Sequence, residues 1–217
     1  MKTWRTGLAL ALCLTIGLAG CSTSWIGEAE EIVAALIPAA SNLVALVAAL
    51  QGKTISASDL ATIQNAGTQA GADLQLIQSL ITAYEKADAA AQPGIMNQIE
   101  SAIGAVQGLL EGLLPALHIK DATTQAKITA VVGIVLSEVQ SLAAIIPIVT
   151  KSPTFAAQNA AKMGHPRAPL SANAFVASYN ATMTAKTGNA ALDRATSGLK
   201  IHSHGKLARW GTAGVLK

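Results

Sequence analysis

The sequence predicts an all-α protein: an antiparallel four-helix bundle over about residues 27–149, then a linker, then a basic C-terminal tail of short helices and irregular chain. Three observations predict it. The chain is 51% hydrophobic but only 3% aromatic, and between Ile26 and Thr150 the sole aromatic is Tyr84. An Ala, Leu, Ile and Val interior suits helices that approach closely, and it lacks the aromatic and β-branched alternation that marks strands. Four successive segments carry apolar residues at alternating spacings of three and four, the pattern of a heptad seam. The links between them, around 51–57, 86–93 and 117–121, are short, which sets neighbouring helices antiparallel. A pair of longer, bent hairpins is the competing arrangement.

In the first segment the seam is Ile32, Leu36, Ala39, Leu43, Leu46 and Leu50, within a stretch so apolar that many registers would fit. Residues 32–50 carry no charge and are long enough to cross a bilayer. Pro38, Ser41, Asn42 and the high alanine content favour instead a helix buried at the centre of a bundle. Pro38 removes one hydrogen bond and crowds the preceding turn, so a kink or break is expected there. Glu30 and Glu31 suit the start of this helix, where negative charge meets the macrodipole.

The second segment is the clearest: Leu60, Ile63, Gly67, Ala70, Leu74, Ile77, Ile81 and Tyr84 form an unbroken seam, and Gly67 and Gly71 beside it imply close packing. Ser56 followed by Asp59 reads as a capping box at its start. The third seam is Ile95, Ile99, Ala102, Val106, Leu109 and Leu113, opened by Pro93 in a first turn. The fourth is Ile128, Val132, Val135, Val139, Leu142 and Ile146, with Asp121 as N-cap. The strings VAALIP at 33–38 and LAAIIP at 142–147 match closely, which in so apolar a sequence reads as coincidence more than as duplication.

The third helix carries a further pattern. Gly104, Gly108 and Gly112 recur every four residues, roughly opposite its apolar stripe. Each glycine in a helix interior costs about 1 kcal/mol relative to alanine. Small residues on one ridge let another helix approach closely, and the bordering Glu100, Gln107 and Glu111 make that approach a water-exposed one. The ridge is therefore a candidate contact for a protein partner, for self-association, or for the chain's own C-terminal segment; an exposed helix that merely tolerates glycine is the alternative.

Charge divides the chain. Residues 22–150 hold four Lys or Arg against eleven Asp or Glu, a net −7, whereas 151–217 hold nine basic residues against Asp193 alone, a net +8. KSPT at 151–154 and GHPRAP at 164–169 mark residues 150–170 as a linker. In the tail, 171–217, Phe175, Tyr179 and Met183 share a face of a short helix starting near Ser171, a second helix is expected over Asn189–Leu199, and the rest is expected to be loose. Such a tail suits anionic lipid or lipopolysaccharide, or the acidic bundle itself. Nucleic acid is not expected, since no reading motif is present.

The amino terminus sets the expected address. Lys2 and Arg5 precede an apolar run from Gly7 to Leu18, the layout of a secretory signal and too short to span a bilayer. The run closes on Leu18, Ala19, Gly20 and Cys21, which resembles the lipobox of bacterial lipoproteins. The resemblance implies a signal peptide of residues 1–20 removed by the signal peptidase, a diacylglyceryl group on Cys21, and an acylated new amino terminus, with 21–26 as lipidated tether. Two or three acyl chains make a stable anchor where one holds only marginally. Ser22, in place of the aspartate that retains enterobacterial lipoproteins at the inner membrane, favours the outer membrane facing the periplasm. Cys13 leaves with the signal, so the mature chain of about 195 residues holds no internal disulfide.

Catalysis is not expected. The four histidines are His118, His165, His202 and His204. His202 and His204 alternate as metal ligands do on an extended segment, but no third ligand is fixed beside them. His118 reads as a helix-end residue meeting terminal carbonyls. Phosphate-loop, nucleophile-elbow and zinc-binding H-E-x-x-H signatures are absent, and no cofactor beyond the covalent lipid is implied. The preferred function is a non-catalytic structural or interaction module tethered in the bacterial envelope. A membrane-inserting or pore-forming bundle is the alternative, and a metal-binding or enzymatic protein the distant one.

Overall fold

The computed structural model describes residues 24–50, 55–146 and 171–202, and those residues contain six helices and no strand. They are α1 (Ser24–Leu50), α2 (Ala57–Lys86), α3 (Gln92–Ala116), α4 (Ala122–Ile145), α5 (Ala172–Thr184) and α6 (Ala190–Ser197). α1 packs along α2, α2 along α3, and α4 closes the ring against both α3 and α1. This is the all-α bundle that the periodicity predicts, and α5 and α6 complete it.

The local signals act where the sequence places them. Ser56 Oγ accepts from Asp59 N at the start of α2, and Asp121 Oδ1 accepts from Thr124 N at 2.7 Å at the start of α4. Pro93 stands in the first turn of α3. Ser171 and Asn189 cap α5 and α6 in the same way. Each cap satisfies backbone amides that the first turn of a helix leaves without partners.

The seams of α2 and α4 are buried throughout, and so are Ile32, Leu36, Ala39, Leu43 and Leu46 of α1. In α3 the buried stripe is rotated from the expected one. Met96, Ile103 and Leu110 are fully enclosed, while Ile95 and Leu109 are only half-buried. α3 has α2 on one side and α4 on the other, so its apolar arc is wider than a two-helix seam.

Two details depart from expectation. α1 starts at Ser24, so Trp25 and Ile26 are buried helix residues, not tether, and Glu30 and Glu31 fall beyond the first turn. Pro38 does not break the helix. Its missing N–H leaves the Ala34 carbonyl without its helical donor, but Leu36, Ala39 and Ala40 are buried on either side and hold the helix together by packing. Of the alternatives read for the tail, its described part takes packing on the bundle: α5 lies on α4 and α1, and α6 on α1 and α5. Phe175, Tyr179 and Met183 are fully buried, so the shared face read from the sequence is a face of the core.

α1 and α2 approach closely at Gly67. A Cβ there would lie 2.9 Å from Val44 Cγ2 and 3.3 Å from both Ala40 O and Leu43 Cβ. At the amino-terminal end of α1, Trp25 packs edge-on against Tyr84 near the end of α2, with ring centroids 5.3 Å apart.

Candidate functional site

Polar chemistry concentrates at four places. The first joins the start of α2 to the α3–α4 turn. Asp59 is buried; its Oδ2 accepts from Ser56 Oγ at 2.7 Å and its Oδ1 from His118 N at 3.1 Å. The Ser56 hydroxyl, then the His118 amide, hold its carboxyl below the usual carboxylate range against the effect of burial. The His118 ring is 86% exposed, and its Nδ1 stands 3.8 Å from Asp59 Oδ1. His118 thus faces the carboxylate of α2 instead of the helix-end carbonyls expected for it. Serine, histidine and aspartate meet here, but the serine binds the carboxylate directly and no imidazole lies between them, so the grouping caps a helix and has no activated nucleophile.

The second place is Lys127 of α4, 5% exposed. Its ammonium donates to the carbonyls of Thr182, Met183 (3.2 Å) and Ala185 (2.8 Å), the end of α5. A cation there meets the negative end of the helix dipole and fills three otherwise unpaired acceptors. Burial lowers the Lys127 pKa, and nearby Asp193 opposes that. Asp193 itself accepts from Thr187 N (2.8 Å) and Thr187 Oγ1 (2.7 Å), closing the α5–α6 turn. Further along, Asn42 Nδ2 donates to Leu199 O, and Asn180 exchanges two bonds with Ile201, each at 2.8 Å.

The third is Glu138, also on α4, at 0% exposure with neither carboxylate oxygen hydrogen-bonded. Burial first, then the charge of Glu28 on α1, pushes its carboxyl up to about 8, so at neutral pH it is protonated.

The fourth is the glycine ridge. Gly104 is half-buried, while Gly108 and Gly112 are exposed, and a Cβ at either of the latter meets nothing within 4 Å. Together with Leu109 and Leu113 they form one wall of an open groove whose other wall is Thr62, Asn65, Ala66 and Gln69 of α2. α5 and α6 pack on α1 and α4, away from this groove. Gln107, read as a border of the ridge, is buried with Nε2 unpaired.

The remaining sequence candidates do not gather. His202 is exposed at the last described position, and His165, His204, Cys21 and the lipobox residues Leu18, Ala19 and Gly20 lie outside the described residues. Among the described residues no three His, Cys, Asp or Glu side chains come together to hold a metal. α1 and α4 each contain a stretch long and apolar enough to cross a membrane, Trp25–Leu46 and Ala122–Ile145, about half of each buried inside the fold.

Sequence reasoning misses Lys127 and Glu138, although a signal exists. They are the only charges in α4, and eleven residues apart is three helical turns, one line on the surface. No family model, curated protein or solved structure matches the chain.

Proposed function

We propose that this protein is a lipid-anchored module of the bacterial envelope, held through acylated Cys21, whose helical body serves as a non-catalytic structural or interaction element. The observation that carries the non-catalytic reading is how the polar side chains are used. Asp59, Lys127, Asp193, Asn42 and Asn180 are engaged in helix caps and in docking α5 and α6. A catalytic site needs such groups converging on a space that a substrate can enter. The Gly108–Gly112 groove is the proposed contact for a partner helix, because one wall is glycine backbone with open space before it and the other offers Thr62, Asn65 and Gln69.

The address is tested by Cys21→Ser, with acyl mass on the purified protein and flotation of membranes as readouts. Loss of both in the variant is expected; acylated Cys21→Ser protein would remove the lipoprotein reading. The contact is tested by crosslinking in cells from a photoreactive residue at Leu109, with Gly108→Leu as the blocking variant. An identical crosslink pattern in both would remove the groove from consideration.

The two apolar helices favour a second reading, insertion of α1 and α4 into the bilayer. A chain beginning at Ser24 separates the two. Monodisperse behaviour without detergent supports the interaction module, and release of dye from vesicles supports insertion.

A further inference from the structure

The anchor and the fold together define which way the bundle stands. We infer that the end of the bundle where α1 begins faces the phospholipid headgroups, with the helix axes rising from the bilayer. This inference rests on the lipid at Cys21. Three residue steps separate Cys21 from Ser24, the first residue of α1, and a chain of that length reaches at most about 10 Å. The amino-terminal end of α1 cannot leave the bilayer surface by more than that reach.

The helix partners of that end are fixed by contacts. Trp25 meets Tyr84, so the end of α2 lies there, and the five-residue link 87–91 brings the start of α3 with it. The short link 117–121 starts α4 at the far end of α3, and α4 packs along α3 and α1, so its carboxyl-terminal half returns to the same end. The opposite end holds the Asp59–His118 junction and the Lys127 clasp. With about 1.5 Å of rise per residue, the length of α3 puts Lys120 about 35 Å farther from the bilayer than the α2–α3 turn.

Two observations favour an upright body over one lying in the interface. A helix lies in a membrane surface by burying an apolar face, yet among the described residues the only exposed large hydrophobic side chain is Leu76. Among the described residues, that end carries Glu28, Glu30, Glu31, Glu85 and Asp88 against Lys86, a net −4. Anionic headgroups repel such an end, which holds it off the surface on its tether.

The test uses the full acylated protein in phosphatidylethanolamine–phosphatidylglycerol vesicles carrying a headgroup quencher. A fluorophore is placed at Ala89→Cys in the α2–α3 turn, or at Lys120→Cys at the far end; both residues are exposed, and the acylated Cys21 does not compete for the label. Strong quenching at Ala89 and little at Lys120 is expected, with quenching at Ala89 weakening as the phosphatidylglycerol fraction rises. Flotation of the protein with equal or reversed quenching overturns the orientation alone. Acyl-free protein that fails to float supports the lipid as sole attachment, and with it the orientation. Absence of acyl mass in cell-derived protein removes the anchor and the orientation together.

Discussion

The ammonium of Lys127 sits 2.8 Å from the carbonyl oxygen of Ala185, joining the first third of α4 to the end of α5. Fifty-eight residues separate the two in sequence. This contact, with its companions at Thr182 and Met183, makes α5 part of the body. Lys127→Met keeps much of the stem and removes the donor. It is expected to destabilise the protein by about 1–3 kcal/mol in urea unfolding, because three carbonyls lose their partner. Amide exchange in α5 should rise before that in α2; uniform exchange across the helices would contradict the clasp.

Glu138 sets a pH dependence of unusual sign. Its folded pKa of about 8 lies above the unfolded value near 4.5, so the folded state keeps a proton that the unfolded state releases. Its contribution is therefore most favourable below about pH 4.5, falls as pH rises toward 8, and is constant above that. The slope in that window is up to about 1.4 kcal/mol per pH unit. Glu138→Gln should flatten the urea midpoint between pH 5 and 8, and equal slopes in the two proteins would refute the buried, unpaired carboxyl. Asp59, Asp121 and Asp193, whose pKa values are lowered by hydrogen bonds, give the opposite trend only at more acid pH.

Asp59 and His118 should respond unequally. Asp59→Ala removes the acceptor for Ser56 Oγ and for the His118 amide, and a loss of about 1–2 kcal/mol is expected. His118→Ala leaves that amide in place and takes away only an exposed ring, so a change within about 0.5 kcal/mol is expected. Thermal melts of the two variants decide; equal losses would mean that the imidazole carries the junction.

The glycines divide in the same manner. Gly108→Ala and Gly112→Ala enter open space and relieve the helix penalty, so each should stabilise by up to about 1 kcal/mol. Gly67→Val has no such room: its Cβ alone already meets Val44 at 2.9 Å, and destabilisation by about 1–3 kcal/mol is expected. Destabilisation by Gly108→Ala in the isolated protein would show that the ridge is packed against something.

The bundle was legible because its helices obey period and punctuation. The α2 seam from Leu60 to Tyr84 and the caps Ser56 and Asp121 are local signals, and they act in the structure as they read. The α3 register was less legible, because a helix with neighbours on two sides buries more than one stripe: Met96, Ile103 and Leu110 lie beside the seam that spacing alone selects. Packing of the tail on the bundle was one of the readings left open, but the contacts that make it were illegible for another reason. Lys127 to Ala185 and Asn42 to Leu199 are pairings across long stretches of chain, and a lysine or an asparagine in a helix carries no mark of a distant carbonyl. The open face of Gly108 and Gly112 did follow from helical phase, whereas Glu138 is buried against the ordinary preference of its residue type.

The bond from Asn42 to Leu199 spans 157 residues. α1, the first of the described helices in the chain, rests partly on α6 and on Leu199, near the end of the described residues. Closure of the core around α1 must wait for almost the whole chain, a long-range pairing of the kind that slows folding. Until then α1 and α4 present apolar surface. Under the proposed envelope address, that delay would keep the core open until the carboxyl-terminal helices have crossed the membrane.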